Sequence, residues 1–563
     1  MPTLNWIGKE AVINHHDEVP IHTLTLDRDR SLGYANEPLG TGNLLVEGDN
    51  LTALKALLPY YAGKVKCIFI DPPYNTGNES WIYNDNVNDP TIKKWLGKTV
   101  GSLAVDLSRH DKWLCMMYPR LCLLHQFLRE DGVIFISIDD NEQSNLRLLM
   151  NEIFNEANFI ACLPTVMNLK GNNDEFGFAG THEYTLCWAK NKERAQIGEF
   201  ELEDEELLDS WLEDDYGYYK KGAGLKATGQ NAPRDKRPNL YYPIFVGPQN
   251  EVTVMESTQT QSYEKVLPIT DGEEMSWRWQ KKTLAARIYD LIVERTNSGI
   301  TLYKKQRPSL GDLPTKKPKS LLYKPAYSSG NGTTILKKIF GKKVFNNPKP
   351  VQLLKDLIYL TTKDDDIVLD SFAGSGTIGH AVLAQNREDG GNRRFILVEL
   401  KKEIARDITA VRLQRVIEGY TSKQEGSLQP LFGKDKETFA YYSVGETFLD
   451  RQEIPFHEMA QYLFFKETGS PIEVDTVRAL MEGDSPSYAT CTTPERYQRA
   501  FLGSVEGVGV YLLNNDDVLN DELIDRLPRH EGRRIIHCGG TQLSIGLLKD
   551  RGITFRQMPY NLV

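Results

Sequence analysis

The chain reads as an α/β protein built on an open, largely parallel sheet, with a long insertion and a small C-terminal α/β domain. Three observations carry this reading. The apolar run Val65 to Ile70 ends in Asp71-Pro72-Pro73-Tyr74. A second apolar run, Ile367-Val-Leu-Asp370, leads through the glycine turn Ala373-Gly-Ser-Gly376 into a helical stretch. Between them, residues 301 to 350 hold twelve cations against the single acid Asp312. Continuous Val/Ile/Phe runs are the mark of parallel strands buried on both faces, and ligands of such sheets bind beyond the carboxyl ends of the strands.

Residues 1 to 40 show no strong periodicity and are expected to form an irregular lead-in. His15-His16-Asp17 does not predict a metal site, because adjacent side chains diverge on a helix or a strand. Asn43 to Gly48 predicts a short strand, and Leu51 to Tyr61 a helix. Asp49 between them either faces a ligand at the sheet rim or caps the helix, and both readings stay open.

The turn after Ile70 is the most informative stretch. Two prolines fix φ and remove two backbone donors, so the Pro72 carbonyl is held as a rigid acceptor beside the Asp71 carboxylate. Tyr74 adds an aromatic plate. A flat group with an exocyclic –NH2 fits: two hydrogens for two acceptors, and a ring to stack. The bland alternative is a rigid turn after a core strand. Residues 79 to 112 form a polar and aromatic connection, long for a compact domain, and a lid is expected there.

A helix over Trp113 to Leu128 and a strand over Gly132 to Asp139 follow, with Asp139 and Asp140 expected to cap a helix from Asn141 to Ile153. Phe159 to Val166 and Tyr184 to Ala189 predict strands; His182-Glu183 before the latter is assigned a structural role. From about 192 the pattern changes. Glu199 to Asp215 is acidic and helix-like, and its acids are expected to face solvent or a partner. Tyr216, Tyr218, Tyr219, Trp277 and Trp279 then interleave with cations. Phosphate neutralisation and base stacking need this combination, so duplex DNA is the expected partner of the insertion, with Lys304, Lys305, Arg307, Lys316, Lys317 and Lys319 as contacts; a merely solvated lysine face is the bland alternative.

Phe345 to Pro350 precedes an amphipathic helix, Val351 to Thr361. After the glycine turn comes a helix over Ile378 to Asn386, then a strand, Arg394 to Glu399, whose terminal acid is placed to bind ribose hydroxyls. Beyond 420, strands over Gly507 to Leu513, Arg533 to Cys538 and Ile553 to Met558 alternate with helices over Asp521 to Leu527 and Thr541 to Asp550. This domain carries no catalytic constellation, and assembly or docking is its expected role.

Composition sets outer bounds. The 563 residues predict more than one domain, and 40% hydrophobic with 26% charged content is ordinary for a globular protein. No apolar run reaches membrane-spanning length and the N-terminus lacks a signal-peptide pattern, so a cytoplasmic location without membrane association is expected. The seven cysteines include no Cys-x-x-Cys pair, which predicts neither a zinc site nor a disulfide framework. A formal charge of −10 argues against non-specific coating of nucleic acid and leaves a local basic groove open.

Asp71-Pro72-Pro73-Tyr74 resembles motif IV of the DNA amino-methyltransferases, and its extension Asn75-Thr76-Gly77-Asn78 is similar to the version in adenine-N6 enzymes of type III restriction-modification systems. Phe372-Ala-Gly-Ser-Gly-Thr377 resembles their motif I, and Glu399 matches the motif II acid. Motif IV before motif I, with a basic insertion between, is the β-group order; the resemblance covers roughly 40 to 190 and 343 to 412. It implies a Rossmann-like methyltransferase sheet of permuted motif order. The implied domains are an arm at 1–40, a catalytic half at 41–191, a target-recognition insertion at 192–342, a cofactor half at 343–420 and a C-terminal domain at 421–563. The implied activity is methyl transfer from S-adenosylmethionine to N6 of a flipped adenine, as the modification subunit of a type III system. Asp71, Pro72, Pro73 and Tyr74 are the implied catalytic residues. Asp49, Asp71, Lys349, Pro350, Asp370, Phe372, Ala373, Gly374, Gly376 and Glu399 are the implied surroundings of S-adenosylmethionine, with no metal. A homodimer and a restriction subunit are the implied protein partners. Cytosine-N4 methylation is the nearest rival, although those enzymes more often carry Ser in place of Asp71. A stand-alone methyltransferase and a DNA-recognition scaffold are the others.

Overall fold

The computed structural model describes residues 4–33, 39–76, 109–171, 177–202, 211–229, 231–297, 299–308, 315–419, 437–451, 454–483 and 495–558. The expected lid at 79–112 falls almost wholly outside them, as do Gly77 and Asn78. Two compact units are present, one formed by residues 1–198 with 319–563 and one by residues 199–318.

The larger unit is organised on a nine-stranded sheet. Its strands are β1 (His22–Leu32), β2 (Asn43–Glu47), β3 (Val65–Ile70), β4 (Leu128–Ile138), β5 (Phe159–Val166), β6 (His182–Ala189), β7 (Ile367–Asp370), β8 (Arg394–Glu399) and β9 (Phe439–Thr447). Their order across the sheet is β1-β9-β2-β8-β7-β3-β4-β6-β5. The pairs from β9 through β4 are parallel, while β1 and the β6-β5 hairpin run antiparallel at the two edges.

The alternation of side chains along each strand splits the core into two layers. Leu44, Val46, Ile68, Ile70, Ile134, Ile136, Leu369 and Ile396 pack on one face. Leu45, Cys67, Phe69, Val133, Phe135, Val368, Phe395 and Leu397 pack on the other. Helices α1 (Asn50–Tyr61), α2 (Arg109–Phe127) and α3 (Gln143–Phe154) cover the first face; α4 (Val351–Thr361) and α5 (Thr377–Asp389) cover the second. A sheet covered on both sides accounts for strands that are apolar at every position, as β3 is.

Several expectations need correction. The N-terminal segment is no irregular arm: residues 22 to 32 form the edge strand β1, paired with β9. That β9 belongs to the same sheet also places residues 439 to 447 in the core fold, past the expected end of the catalytic core. Asp139 and Asp140 do not cap α3, whose N-cap is Glu142; Asp139 instead turns the chain by accepting from the Asn141 amide at 2.9 Å. In the acidic run, the described ends are short strands, Phe200–Glu201 and Leu212–Asp214, rather than helix.

The smaller unit is mostly short strands and turns, with a short helix, Lys281–Ala286, packed around Leu225, Tyr242, Ile244, Val246, Trp277, Leu284, Leu291 and Leu302. Its four-stranded sheet includes Leu291–Thr296, Gly299–Gln306 and Gly217–Gly224. Near the C-terminus, Val508–Leu512, Arg533–Cys538 and Ile553–Gln557 form a parallel three-strand set with Phe501–Val505 antiparallel at its edge.

Candidate active site

The sheet rim assembles the site. β3, β7 and β8 end side by side, so Asp71, Asp370 and Glu399 emerge at one edge. An antiparallel strand has its beginning where parallel neighbours have their ends; β6 pairs with β4 with Tyr184 opposite Ile138, and this carries His182 and Glu183 to the same edge.

A cavity of about 700 Å³ opens there. Asp71, Pro72, Pro73, Tyr74, Lys349, Phe372, Gly374 and Glu399 all line it, together with Asp139, Glu183, Phe345, Asn347 and the hairpin residues Met167, Asn168, Gly180 and Thr181. Of the residues expected around the cofactor, Asp49, Pro350, Asp370, Ala373 and Gly376 are not on its wall.

At one end of the cavity the Tyr74 hydroxyl is the hub of a polar cluster. It donates to Asp71 Oδ1 at 2.8 Å and lies 3.0 Å from Ser137 Oγ and 3.1 Å from Glu183 Oε2. Lys349 Nζ donates to it at 2.6 Å, pairs with Glu183, and stands 3.3 Å from Asp71 Oδ1. Lys349 was expected on the cofactor side; its ammonium lies instead among the catalytic candidates. Burial pushes the Asp71 carboxyl above the usual range, Lys349 pulls it back and Glu183 pushes it further up. Burial alone would lower Lys349, but the facing carboxylates of Asp71 and Glu183 outweigh it and hold the ammonium above its ordinary value. Tyr74 is held neutral by burial and by the same two acids.

The prolines behave as the sequence implies. The Pro73 carbonyl accepts from Trp113 Nε1 at 2.7 Å, which pins the turn, while the Pro72 carbonyl has no hydrogen-bond partner among the described residues. Asn75 follows with φ of 61°, a conformation Asn tolerates better than most residues, and its amide is buried against Glu142. Glu142 also accepts from Asn145 at 2.8 Å and stands 2.7 Å from His110 Nδ1.

At the other end, the glycine turn presents backbone. Gly374 N–H donates to Glu399 Oε2 at 2.8 Å, and the Lys401 N–H donates to Oε1 at 2.9 Å. A Cβ on Gly374 would stand 3.2 Å from the Phe345 ring, and one on Gly376, at φ 75°, would stand 2.8 Å from Thr409 Cγ2. A side chain at Gly376 is therefore excluded, and one at Gly374 would press on the Phe345 ring. Burial raises Glu399 to about 7. It also holds Asp370 well above the usual range, with Asp71 and Glu399 adding repulsion. The Asp370 carboxylate braces the turn by accepting from the Phe372 N–H at 2.9 Å. The Ser371 hydroxyl beside it is buried with no hydrogen-bond partner among the described residues.

Asp49 braces the start of α1. Its Oδ1 accepts from the Leu51 and Thr52 amides at 3.1 and 3.3 Å, capping α1, and its Oδ2 accepts from buried Arg120 at 2.9 Å. Sequence reasoning assigned Glu183 a structural role and did not single out Ser137 or Lys349 as neighbours of Tyr74. The available signal was a carboxylate opening an otherwise buried strand.

Of the expected DNA contacts, Lys305 and Arg307 spend their donors inside the smaller unit. Arg307 holds Asp214 through two bonds of 2.8 and 2.7 Å and Asp290 at 2.7 Å, and Lys305 also pairs with Asp214. Lys317 and Lys319 are exposed. Lys304 is half-buried on its strand, and Lys316 pairs opposite Phe200.

A family model described as DNA methylase matches residues 65–410. Among curated proteins, the type III restriction-modification enzyme EcoPI Mod subunit of Escherichia phage P1 is 43% identical over 77% of this chain and 69% of its own length. The type II methyltransferase M.KpnI of Klebsiella pneumoniae is 32% identical over 68% of this chain and 89% of its own. The StyLTI Mod subunit of Salmonella typhimurium is 31% identical over 72% of this chain and 59% of its own.

Proposed function

The chain belongs to the DNA methylase family, and on that premise we propose that it methylates the N6 amino group of an adenine flipped out of duplex DNA. The observation that carries this is the pairing of the Asp71 carboxylate with the open Pro72 carbonyl on the wall of a cavity that also holds the Gly374 turn and Glu399. The family order of motifs and the EcoPI and StyLTI likeness support the narrower role of modification subunit in a type III restriction-modification system. On that reading DNA cleavage belongs to a separate restriction subunit, and the chain works as a homodimer.

The residues present suit S-adenosylmethionine as methyl donor. Gly374 leaves a side-chain-free approach, Phe372 adds an apolar wall beside it, and Glu399 offers a carboxylate to ribose hydroxyls. Bound there, S-adenosylmethionine supplies a methyl group already activated by its sulfonium. Glu399 holds the sugar and the Gly374 backbone lets the ligand approach closely. Pro350 starts α4 behind Lys349, and Ala373 and Gly376 shape the turn from within.

Asp71 and the Pro72 carbonyl accept the two N6 hydrogens and Tyr74 stacks on the ring, which aims the nitrogen lone pair at the donor. As the transfer completes, the nitrogen, left with a positive charge, gives one proton to the Asp71 carboxylate, which releases it to solvent. Flipping costs a few kcal/mol of stacking and pairing, which contacts in the pocket offset. Alignment of the amine against the methyl donor supplies most of the remaining acceleration. In the smaller unit, Lys304, Lys316 and Lys317, and Lys319 just beyond it, track phosphates, while Lys305 and Arg307 hold the framework.

The test is to map modified bases in DNA from cells producing this chain alone. N6-methyladenine at one recurring sequence, abolished by Asp71→Ala, is the expected result. Methylcytosine, or methylation that survives Asp71→Ala, overturns the assignment.

A further inference from the structure

The β5-β6 hairpin carries a feature that the site chemistry does not use. Val166 and His182 close its ladder, and the Met167 and Asn168 amides both donate to the Thr181 carbonyl at 3.0 and 3.1 Å. Further out the two arms still touch: a Cβ on Gly171 would stand 2.4 Å from Ala179 Cβ. The base of the hairpin forms cavity wall through Met167, Asn168, Gly180 and Thr181. Beyond it, Phe178 is 85% exposed and Leu169 67% exposed, with exposed Lys170 beside them. Phe178 makes no ring contact with any described residue.

A lone exposed apolar side chain needs no explanation, but two large ones on the two arms of a braced hairpin whose base lines a polar cavity do. We propose that Phe178, seconded by Leu169, is a wedge that enters the base stack where the target nucleotide leaves it. This deepens the reading of the cavity as a pocket for a flipped adenine and rests on it.

The reasons are geometric and energetic. Phe178 lies two residues beyond the wall residue Gly180, a reach of at most about 7 Å, comparable with the depth of the minor groove. A flipped base leaves an apolar slot between its stacked neighbours, and proteins that unstack DNA fill such slots with Phe, Leu, Ile or Met. An aromatic side chain in water gains most from that transfer, and Lys170 is placed for the flanking phosphate. The pocket binds the extruded base and the wedge keeps its place from refilling, so each side of the flipping equilibrium has its own residue.

The experiment uses the full chain and a duplex carrying the mapped recognition sequence, comparing wild type, Phe178→Ala, Phe178→Leu and Leu169→Ala/Phe178→Ala. Single-turnover methylation is measured on the paired duplex and on one lacking the base opposite the target; 2-aminopurine fluorescence at the target reports flipping. Phe178→Ala is expected to lose about tenfold or more in rate and most of the flipping signal on paired DNA. It should recover to near wild type when the opposing base is absent, because extrusion then needs little help. Phe178→Leu should retain much of the rate. The proposal is overturned if the double variant matches wild type on paired DNA, or if it is equally impaired on both duplexes. Wild type that fails to methylate either duplex would instead sink the underlying function.

Discussion

At the residue scale, the cluster around Tyr74 makes opposite demands on its two charged neighbours. On the proposed reading Asp71 accepts from an amino group most strongly when ionised, and its burial raises the pH at which it becomes so. Lys349 favours the carboxylate and Glu183 disfavours it, so removing each should move the acid limb of the pH–rate profile in opposite directions. Without the cation, Asp71 takes up its proton at higher pH, and activity is lost earlier as pH falls. Without the second acid, it stays ionised to lower pH. Lys349→Met is therefore expected to shift the acid limb of single-turnover methylation upward and Glu183→Gln downward. Shifts of the same sign in both variants would mean that neither residue acts through Asp71. The sequence made Asp71, Pro72 and Tyr74 legible, because their chemistry is local: two prolines and an acid at the end of one strand. Glu183 lies more than a hundred positions away, and only the antiparallel turn-back of β6 brings it to Tyr74.

At the element scale, strands and helices of the parallel core follow the apolar pattern closely; α4 and the strands β5 and β8 occupy the expected residues. The edge strand β1 escaped because Asp27-Arg28-Asp29-Arg30 breaks its pattern, and an edge strand has little burial to impose one. The β2-α1 junction shows what an ambiguous acid can be. Asp49 caps α1 and is the carboxylate partner of Arg120, which is only 2% exposed. Losing a cap costs about 1 kcal/mol, and stranding a buried cation costs about 3–5 kcal/mol. Asp49→Asn keeps the cap and loses the charge, whereas Asp49→Ala loses both. Chemical denaturation should therefore rank wild type above Asp49→Asn and Asn above Ala. If both variants unfold like wild type while binding of S-adenosylmethionine weakens tenfold, Asp49 is a ligand contact after all.

For the whole molecule, charge is the property a sequence describes worst, since counting cations does not reveal which are already paired. The chain is acidic overall yet has a run of twelve cations, and two of the six chosen as DNA contacts turn out to brace the smaller unit. The distinction has a thermodynamic signature. A lysine that touches phosphate releases counterions on binding, so its removal lowers the slope of log K against log salt by about 0.9. A cation spent inside the protein contributes nothing to that slope. Arg307 is held far above its ordinary range, first by its bonds to Asp214, and bridges that residue to Asp290, which is 1% exposed; removing it breaks the bridge and leaves Asp290 to Arg287 and Asp214 to Lys305. Lys317→Ala and Lys319→Ala should each weaken duplex binding at low salt, flatten its salt dependence and leave thermal stability unchanged. Arg307→Ala should lower the unfolding temperature of the chain while any DNA that still binds does so with the wild-type slope. A flattened slope with unchanged stability in Arg307→Ala would return that residue to the DNA interface and break the division between framework and contact cations.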